Sequence, residues 1–260
     1  MPTVAIDTRG AGQWGRLLVA ELRRFAGLRA PAWRPWSRLI APHAVHALGG
    51  RLPVLPGCPG IVTFTHATNE ATLASAALVL CPSQAAMRAA AARRGAREEA
   101  LRVVPHAAAP ARLPLPLPGA APRGEYALAL ADDPAPLREA WRRSAPGVEL
   151  QLLDEEPGEA LLRGALLLAD LRDDVLFGGL ALAALERGVP VIASPGGAVA
   201  EAVGDAGLLT YPTDPAALAT AVDGALSDRA ALAAAGRARA SLFTWSGTAE
   251  ATVMAYRELW

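Results

Sequence analysis

Three glycine-rich segments of the chain could bind an anionic ligand through their main chain. They contain Gly10, Gly12 and Gly15, then Gly178 and Gly179 after Phe177, and then Gly196 and Gly197 after Ser194 and Pro195. Glycine lets backbone N–H groups approach a phosphate closely, and a helix N-terminus adds a favourable dipole. This pattern favours binding of a nucleotide diphosphate. For the first segment, a tight turn without a ligand remains the alternative.

Side chains near these segments could add charge and acid–base chemistry. Arg9 and Arg16 flank the first glycine segment and could neutralise a phosphate, while Asp174 precedes the second. His66 follows the apolar run Ile61–Thr65. A histidine at the carboxyl end of a strand is well placed for chemistry, although a hydrogen-bonded structural histidine is the alternative.

Apolar runs alternate with helical patterns along the chain, which predicts parallel α/β sheets. The first strand is Val4–Asp7, an amphipathic helix follows to about Phe25, and residues 28–60 are expected to be irregular. In the second half the predicted strands are Tyr126–Ala131, Val148–Leu153, Ala165–Leu171 and Val189–Ala193. Ser246 is the predicted cap of the last helix.

A proline-rich stretch, PARLPLPLPGAAP at residues 110–122, marks the expected domain boundary. Proline disfavours sheet interiors and favours an extended connector. We therefore expect a first domain over residues 1–112, a linker over 113–124, a second domain over 125–245 and a final helix over 246–260.

The stretch from Phe177 to Leu209, with Gly188-Val-Pro-Val-Ile-Ala-Ser194 at its centre, carries a family resemblance. It is similar to the donor-binding half of family 4 retaining glycosyltransferases, and the likeness continues to Trp245. The resemblance implies a GT-B-like α/β fold, with two Rossmann-like parallel-sheet domains facing a cleft. It also implies a final helix that crosses back to the first domain.

By this resemblance, a nucleotide-sugar is the donor substrate, and His66 borders the sugar site. His66 and Asp174 are then the candidate catalytic residues. The candidate donor-binding residues are Gly10, Gly12, Gly15, Arg16, Phe177, Gly178, Glu186, Ser194, Gly196, Gly197 and Glu201.

The chain departs from the family at four positions. The family has two glutamates around the Phe-Gly turn, where this chain has Val175 and Ala183. It also has an arginine and a lysine after the first strand of the second domain, where this chain reads Ala131-Asp132-Asp133-Pro134. Two carboxylates near a diphosphate would weaken donor binding by several kcal/mol, because each pair of negative charges repels by about 4 kcal/mol at close range.

These observations leave three interpretations open. The first is a GT-B glycosyltransferase that needs no metal or other cofactor, because no Asp-x-Asp motif is evident, and that acts on a glycan, lipid or protein acceptor. The second is a catalytically inactive binding or scaffold protein that pairs with an active glycosyltransferase. The third is another nucleotide-binding protein such as a reductase, which would need an acidic residue some twenty positions after the first glycine segment.

Composition sets the remaining expectations. The formal net charge is +0, which gives no general attraction to nucleic acid, and all 25 cationic side chains are arginine. Cys58 and Cys81 have no metal-site spacing, which favours a reduced, cytoplasmic protein. No signal peptide is evident, and peripheral association with the inner face of the membrane stays open.

Overall fold

The computed structural model describes residues 2–9, 11–24, 28–32, 42–49, 52–53, 57–108 and 125–260. They belong to two compact units. The first combines Met1–Ala107 with Phe243–Trp260, and the second is Ala108–Leu242. Each unit contains a parallel sheet with helices, as the alternation of apolar and helical patterns predicts.

The strands and helices have the following bounds in chain order. The strands are β1 Val4–Asp7, β2 Ala44–Ala47, β3 Gly60–Thr63, β4 Leu78–Cys81, β5 Leu101–Val103, β6 Tyr126–Leu130, β7 Glu149–Leu152, β8 Leu168–Asp170, β9 Val191–Ala193 and β10 Leu208–Leu209. The helices are α1 Gly12–Leu22, α2 Glu70–Ser75, α3 Gln84–Ala91, α4 Ala135–Ser144, α5 Glu159–Gly164, α6 Gly179–Glu186, α7 Ala198–Val203, α8 Pro215–Ser227, α9 Arg229–Ala240 and α10 Trp245–Tyr256.

In the first unit, the described strands form one parallel sheet in the order β1-β2-β3-β4-β5. Helix α10 belongs to this unit and packs on α1. Its Tyr256 hydroxyl lies 2.6 Å from Nδ1 of His46, whose Nε2 lies 2.9 Å from the Thr63 hydroxyl. Tyr256 and His46 are both fully buried, so these hydrogen bonds satisfy polar groups that would otherwise be costly to bury.

The expectation that residues 28–60 are irregular is wrong in part, because β2 lies within them and forms the second strand of the sheet. His46 is therefore a strand residue. Further bridges join Thr3 to Arg29 and Ile6 to Ala32 along the outer side of β1. The four residues Ala-Val-His-Ala have only a weak strand pattern in sequence. They form a strand because β1 and β3 pair with them on both sides.

In the second unit, the described strands are all parallel and lie in the order β10-β9-β8-β6-β7. The four predicted strands of this unit are confirmed with shorter bounds, and β8 has only three of the seven residues predicted for it. Asp214 caps α8 by accepting hydrogen bonds from the N–H groups of Ala216 and Ala217. Helix α6 is buried along its whole length between Leu180 and Leu185, which fits its uniformly apolar sequence.

The last helix begins at Trp245, two residues earlier than a cap at Ser246 would set it. Thr244 is the cap, because its hydroxyl accepts a hydrogen bond of 3.0 Å from the N–H of Gly247. The predicted linker, residues 113–124, lies outside the described residues. No helix in the described part of the chain has the length and apolar content to cross a membrane.

Candidate functional site

The strand order of the second unit contains a switch point between β6 and β8, where the connections from neighbouring strands run in opposite directions. From β6 the chain passes to β7 on one side of the sheet, and β8 then lies on the other side of β6. In parallel α/β sheets, ligands bind outside the carboxyl ends of the strands at such a switch point. The segments that leave β6 and β8 here are residues 131–134 and 171–174.

A buried ion pair lies at this switch point. Asp170 is the last residue of β8 and is only 1% exposed. Arg172 donates from Nε to Oδ1 of Asp170 at 2.8 Å and from Nη2 to Oδ2 at 2.7 Å. This two-pronged geometry fixes the plane of the guanidinium, and a quarter of the Arg172 side chain is exposed to solvent. The pair places an oriented cation at the carboxyl edge of the sheet.

Acidic groups surround the Arg172 guanidinium. The hydrogen bonds to Asp170 raise the pKa of Arg172, and burial opposes that rise. The negative charges of Glu156 and Asp132 raise the pKa of Arg172 further. Asp132 also accepts a hydrogen bond of 3.0 Å from the N–H of Asp173, which joins the segment after β6 to the segment after β8. Arg172 is therefore charged, and it partly offsets the acidic residues that the sequence places here.

Sequence reasoning missed Arg172, although the chain contains a signal that could have found it. Asp7 ends β1 in the first unit, is 4% exposed, and accepts hydrogen bonds from Arg9, two positions later, at 2.5–3.1 Å. Each unit thus has a strand that ends in a buried aspartate, followed at the second position by an arginine. The pattern Asp-x-Arg after an apolar run indicates a carboxylate that holds a cation at the carboxyl edge.

The loop after β9 is open to an approaching ligand. A Cβ added at Gly196 or Gly197 would meet no heavy atom of the described chain within 4 Å. Gly196 has a φ of +85°, which favours glycine, whereas Gly197 is extended and caps α7. Ser194 is buried and donates a hydrogen bond of 3.1 Å to the carbonyl of Leu171, so this loop is tied to the segment that carries Arg172.

Gly178 has a packing contact on the side where a side chain would project. A Cβ on Gly178 would lie 2.6 Å from Cβ of Ala202 and 3.0 Å from the carbonyl oxygen of Ala198. The absence of a side chain therefore allows the start of α6 to approach α7. Phe177 is half-buried beside it, and its ring would lie 3.2 Å from a Cβ on Gly179.

The acidic candidates of this unit are spread over different places. Asp174 is exposed in the segment after β8, close in sequence to Arg172. Glu201 is half-buried in α7. Glu186 is in the last turn of α6, about 10 Å along the helix axis from its start, and it forms an ion pair of 3.1 Å with Arg187. The structure therefore brings Asp174 to the edge that carries Arg172, but not Glu186.

The candidate residues of the first unit also lie in different environments. Gly10 lies outside the described residues, and Gly12 begins α1. Gly15 is buried, and a Cβ there would lie 3.3 Å from Leu48, so this glycine lets α1 pack closely. Arg16 is exposed on α1, and His66 is exposed in the turn after β3.

A buried histidine in the first unit was not identified from the sequence. His106 lies after β5, and its ring centroid is 4.9 Å from that of Trp14 and 5.9 Å from that of Trp245. Burial lowers the pKa of His106 to about 4, so the ring is neutral at physiological pH. Among the residues that the structure describes, no group of three histidine, cysteine or acidic side chains could hold a metal ion.

The second unit matches a family model. The model of glycosyl transferases group 1 matches residues 131–228, which include the switch point and both glycine loops of this unit. A search of curated protein sequences found no match.

Several solved structures are similar over the whole chain. A glycosyltransferase from Rickettsia africae ESF-5 has a TM-score of 0.67 and 13% identity, and the alignment covers 99% of this chain and 98% of that one. Anabaena HepE in complex with UDP and glucose has a TM-score of 0.68, 15% identity, and coverage of 99% and 100%. Sucrose-phosphate synthase from Thermosynechococcus elongatus has a TM-score of 0.60, 17% identity, and coverage of 100% and 99%. These similarities confirm the predicted GT-B-like α/β fold.

Proposed function

We propose that this protein is a nucleotide-sugar-dependent glycosyltransferase of the GT-B type. The observation that carries the proposal is Arg172, which Asp170 orients at the switch point of the unit that matches the glycosyltransferase model. Sugar transfer leaves a nucleoside diphosphate, whose charge must be stabilised as the glycosidic bond breaks. Arg172 is suited to this role because a guanidinium can bind phosphate oxygens while its other edge is held by a carboxylate.

In this proposal the loop after β9 binds the donor next to Arg172. Gly196 and Gly197 leave open space for a phosphate, and Ser194 ties that loop to the residue that precedes Arg172. Donor binding must also offset the repulsion between the negative diphosphate and the carboxylates of Asp132 and Asp133. The proposal therefore requires the charge of Arg172 for donor binding.

His66 and Asp174 remain our proposed catalytic side chains. Both are exposed, and each follows a strand of its own unit at the carboxyl edge. Replacing His66 with alanine or Asp174 with asparagine should lower kcat more than it raises KM for the donor. We further propose that transfer needs no metal ion, which predicts that a chelator leaves the rate unchanged. The sugar would be transferred with retention of the anomeric configuration, as the family resemblance implies, to a glycan, lipid or protein acceptor.

Titration calorimetry with a panel of nucleotide-sugars tests the donor site. HepE binds UDP and UDP-glucose, so UDP-glucose is the first compound to test, followed by GDP- and TDP-sugars. We expect one of them to bind. We also expect the double variant D170N/R172Q to weaken that binding by about tenfold or more, since hydrogen bonds to charged groups contribute about 1.5–3 kcal/mol.

The matched control for that experiment is R143Q. Arg143 lies on α4, pairs with the exposed Glu139, and is outside the segments that leave β6 and β8. Its replacement should leave donor affinity unchanged. Folded protein that binds none of the nucleotide-sugars would count against the proposal.

One observation favours the second function, a catalytically inactive relative that pairs with an active glycosyltransferase. Val175 and Ala183 occupy the positions where the family resemblance implies glutamates. Ala183 is buried in the core of the second unit, and Val175 packs against the same core. A carboxylate at Ala183 would have to be buried, so this position is committed to packing. Measurable sugar transfer by the isolated protein, however slow, would exclude this alternative.

A further inference from the structure

Strand β7 lies at one edge of the second sheet, and its outer side is free. The N–H groups of Glu149 and Leu153 donate to the carbonyls of Glu125 and Ala129, on the side of β6. By alternation, the N–H and C=O groups of Leu150 and Leu152 point away from β6. Within the described ranges, no strand pairs with this outer edge. By contrast, β10 at the opposite edge has only two residues, and the segment 29–32 bridges to β1.

A groove runs beside this free edge. It has a volume of about 740 Å³ and is lined by Arg138, Trp141, Arg142, Leu150 and Leu152. The apolar side chains of this groove come from β7 and α4, and the two arginines lie one helical turn apart on α4. An occupant must therefore supply a strand, apolar side chains and negative charge.

The chain itself contains a segment with these three properties. Strand β7 continues into Leu153 and the exposed acidic run Asp154-Glu155-Glu156. We propose that β7 pairs antiparallel with β7 of a second copy of this chain, which would join the two sheets through a twofold axis. The proposal is independent of the glycosyltransferase function.

The register of this pair follows from which residues point outward. In an antiparallel pair, two opposite residues exchange two hydrogen bonds when the N–H and C=O groups of each point at the other strand. Leu150 therefore lies opposite Leu152 of the second copy, and Gln151 lies on the twofold axis. The four leucines then share the face that α4 covers, where the groove is.

The same register brings opposite charges together. Asp154 of the second copy lies at the level of Val148, whose carbonyl accepts a hydrogen bond of 2.8 Å from Nε1 of Trp141. The acidic run thus reaches the end of α4 that carries Arg142, the neighbour of Trp141. Val148 and Asp154 lie just outside β7, and the proposal continues the alternation of the strand to both of them, which puts Asp154 on the side of Arg142.

Sedimentation equilibrium of the whole protein and three groove variants tests this pairing. We expect a dimer, and we expect R142E and D154R each to raise its dissociation constant by about tenfold or more. Combining R142E with D154R should restore an affinity near that of the wild type, because the charge pair is re-formed with reversed signs. The control R143E changes the adjacent arginine, which pairs with Glu139, and should leave the dimer intact.

Hydrogen exchange gives a second readout that does not depend on the variants. The amides of Leu150 and Leu152 should exchange more slowly at protein concentrations that favour the dimer, whereas the already bonded amide of Leu153 should change little. A monomer at every accessible concentration would overturn the proposal. So would a dimer that is insensitive to both single variants, or one without protection at Leu150 and Leu152.

Discussion

Arg172 donates two hydrogen bonds to Asp170, and the carboxylate that accepts them is almost completely buried at the end of β8. The pairing is asymmetric in exposure, because the arginine reaches solvent while the aspartate does not. Asp7 and Arg9 repeat this relationship at the end of β1. In both places a buried anion orients a cation at the carboxyl edge, which is the edge where parallel sheets bind ligands.

The asymmetry predicts unequal effects when the Asp170–Arg172 pair is broken. R172A should lower the free energy of unfolding by about 3 kcal/mol, because it leaves the buried carboxylate of Asp170 unpaired. The neutral double variant D170N/R172Q should stay within about 1 kcal/mol of the wild type, since it leaves no buried charge. Urea unfolding followed by circular dichroism measures both. Equal stability of R172A and the double variant would contradict this account of the pair.

Two glycines of the second unit should respond differently to alanine. G178A should destabilise the protein by about 1–3 kcal/mol, because its methyl group would lie 2.6 Å from Cβ of Ala202. G197A should change the free energy of unfolding by less than about 0.5 kcal/mol, since Gly197 is extended and faces open space.

The same pair of variants separates packing from ligand binding. If the loop after β9 binds the donor, G197A should weaken donor affinity by about tenfold, or about 1.4 kcal/mol, despite normal stability. Thermal unfolding and titration calorimetry of both variants provide the comparison. A stable G178A protein would show that α6 and α7 are not held as closely as the structure indicates.

Much of the fold could be predicted because its strands are apolar and its turns contain glycine or proline. Asp214 followed by Pro215 predicts the start of α8, and the structure confirms it. Strand β2 could not be predicted, because His46 is a polar residue whose burial depends on Tyr256, more than 200 positions later in the chain. The predicted cap of α10 is Ser246, whereas the observed cap is Thr244. Both residue types are good caps, and only the hydrogen bond from the N–H of Gly247 to Thr244 distinguishes them.

The candidate site was harder to predict than the fold for a physical reason. The sequence indicates where glycines occur, but it does not show which side of a glycine is occupied. Gly178 and Gly197 look equivalent in sequence, yet one packs against α7 and the other faces open space. Likewise, Asp170 and Arg172 become a recognisable pair only when the end of β8 is seen to bury the carboxylate.

Tyr256 should stabilise the first unit through one hydrogen bond. Y256F removes the hydroxyl that lies 2.6 Å from Nδ1 of His46 and leaves that buried nitrogen without this partner. We expect the free energy of unfolding to fall by about 1–3 kcal/mol. Y211F is the matched control, because Tyr211 is 68% exposed and should change stability by less than about 0.5 kcal/mol. Urea unfolding measures both, and an equal effect of the two variants would contradict this role.

Two buried histidines should make the first unit sensitive to acid. Burial lowers the pKa of His106 from 6.5 to about 4, and burial together with the charge of His106 lowers that of His46 to about 3. The unfolded chain takes up these protons near pH 6.5, whereas the folded chain resists them until much lower pH. The full stability is therefore present above about pH 6.5. It falls as the pH drops from there towards about 4 for His106 and about 3 for His46.

H106F should reduce this loss, because phenylalanine can fill the space between Trp14 and Trp245 without binding a proton. At about pH 4 a single group with this shift accounts for a loss of about 3 kcal/mol. Urea unfolding of the wild type and H106F between about pH 7 and pH 4 measures the difference in slope. The control is H43Q, which changes an exposed histidine and should keep the steep dependence of the wild type. If H106F loses stability as steeply as H43Q, His106 is not the group that couples folding to protonation.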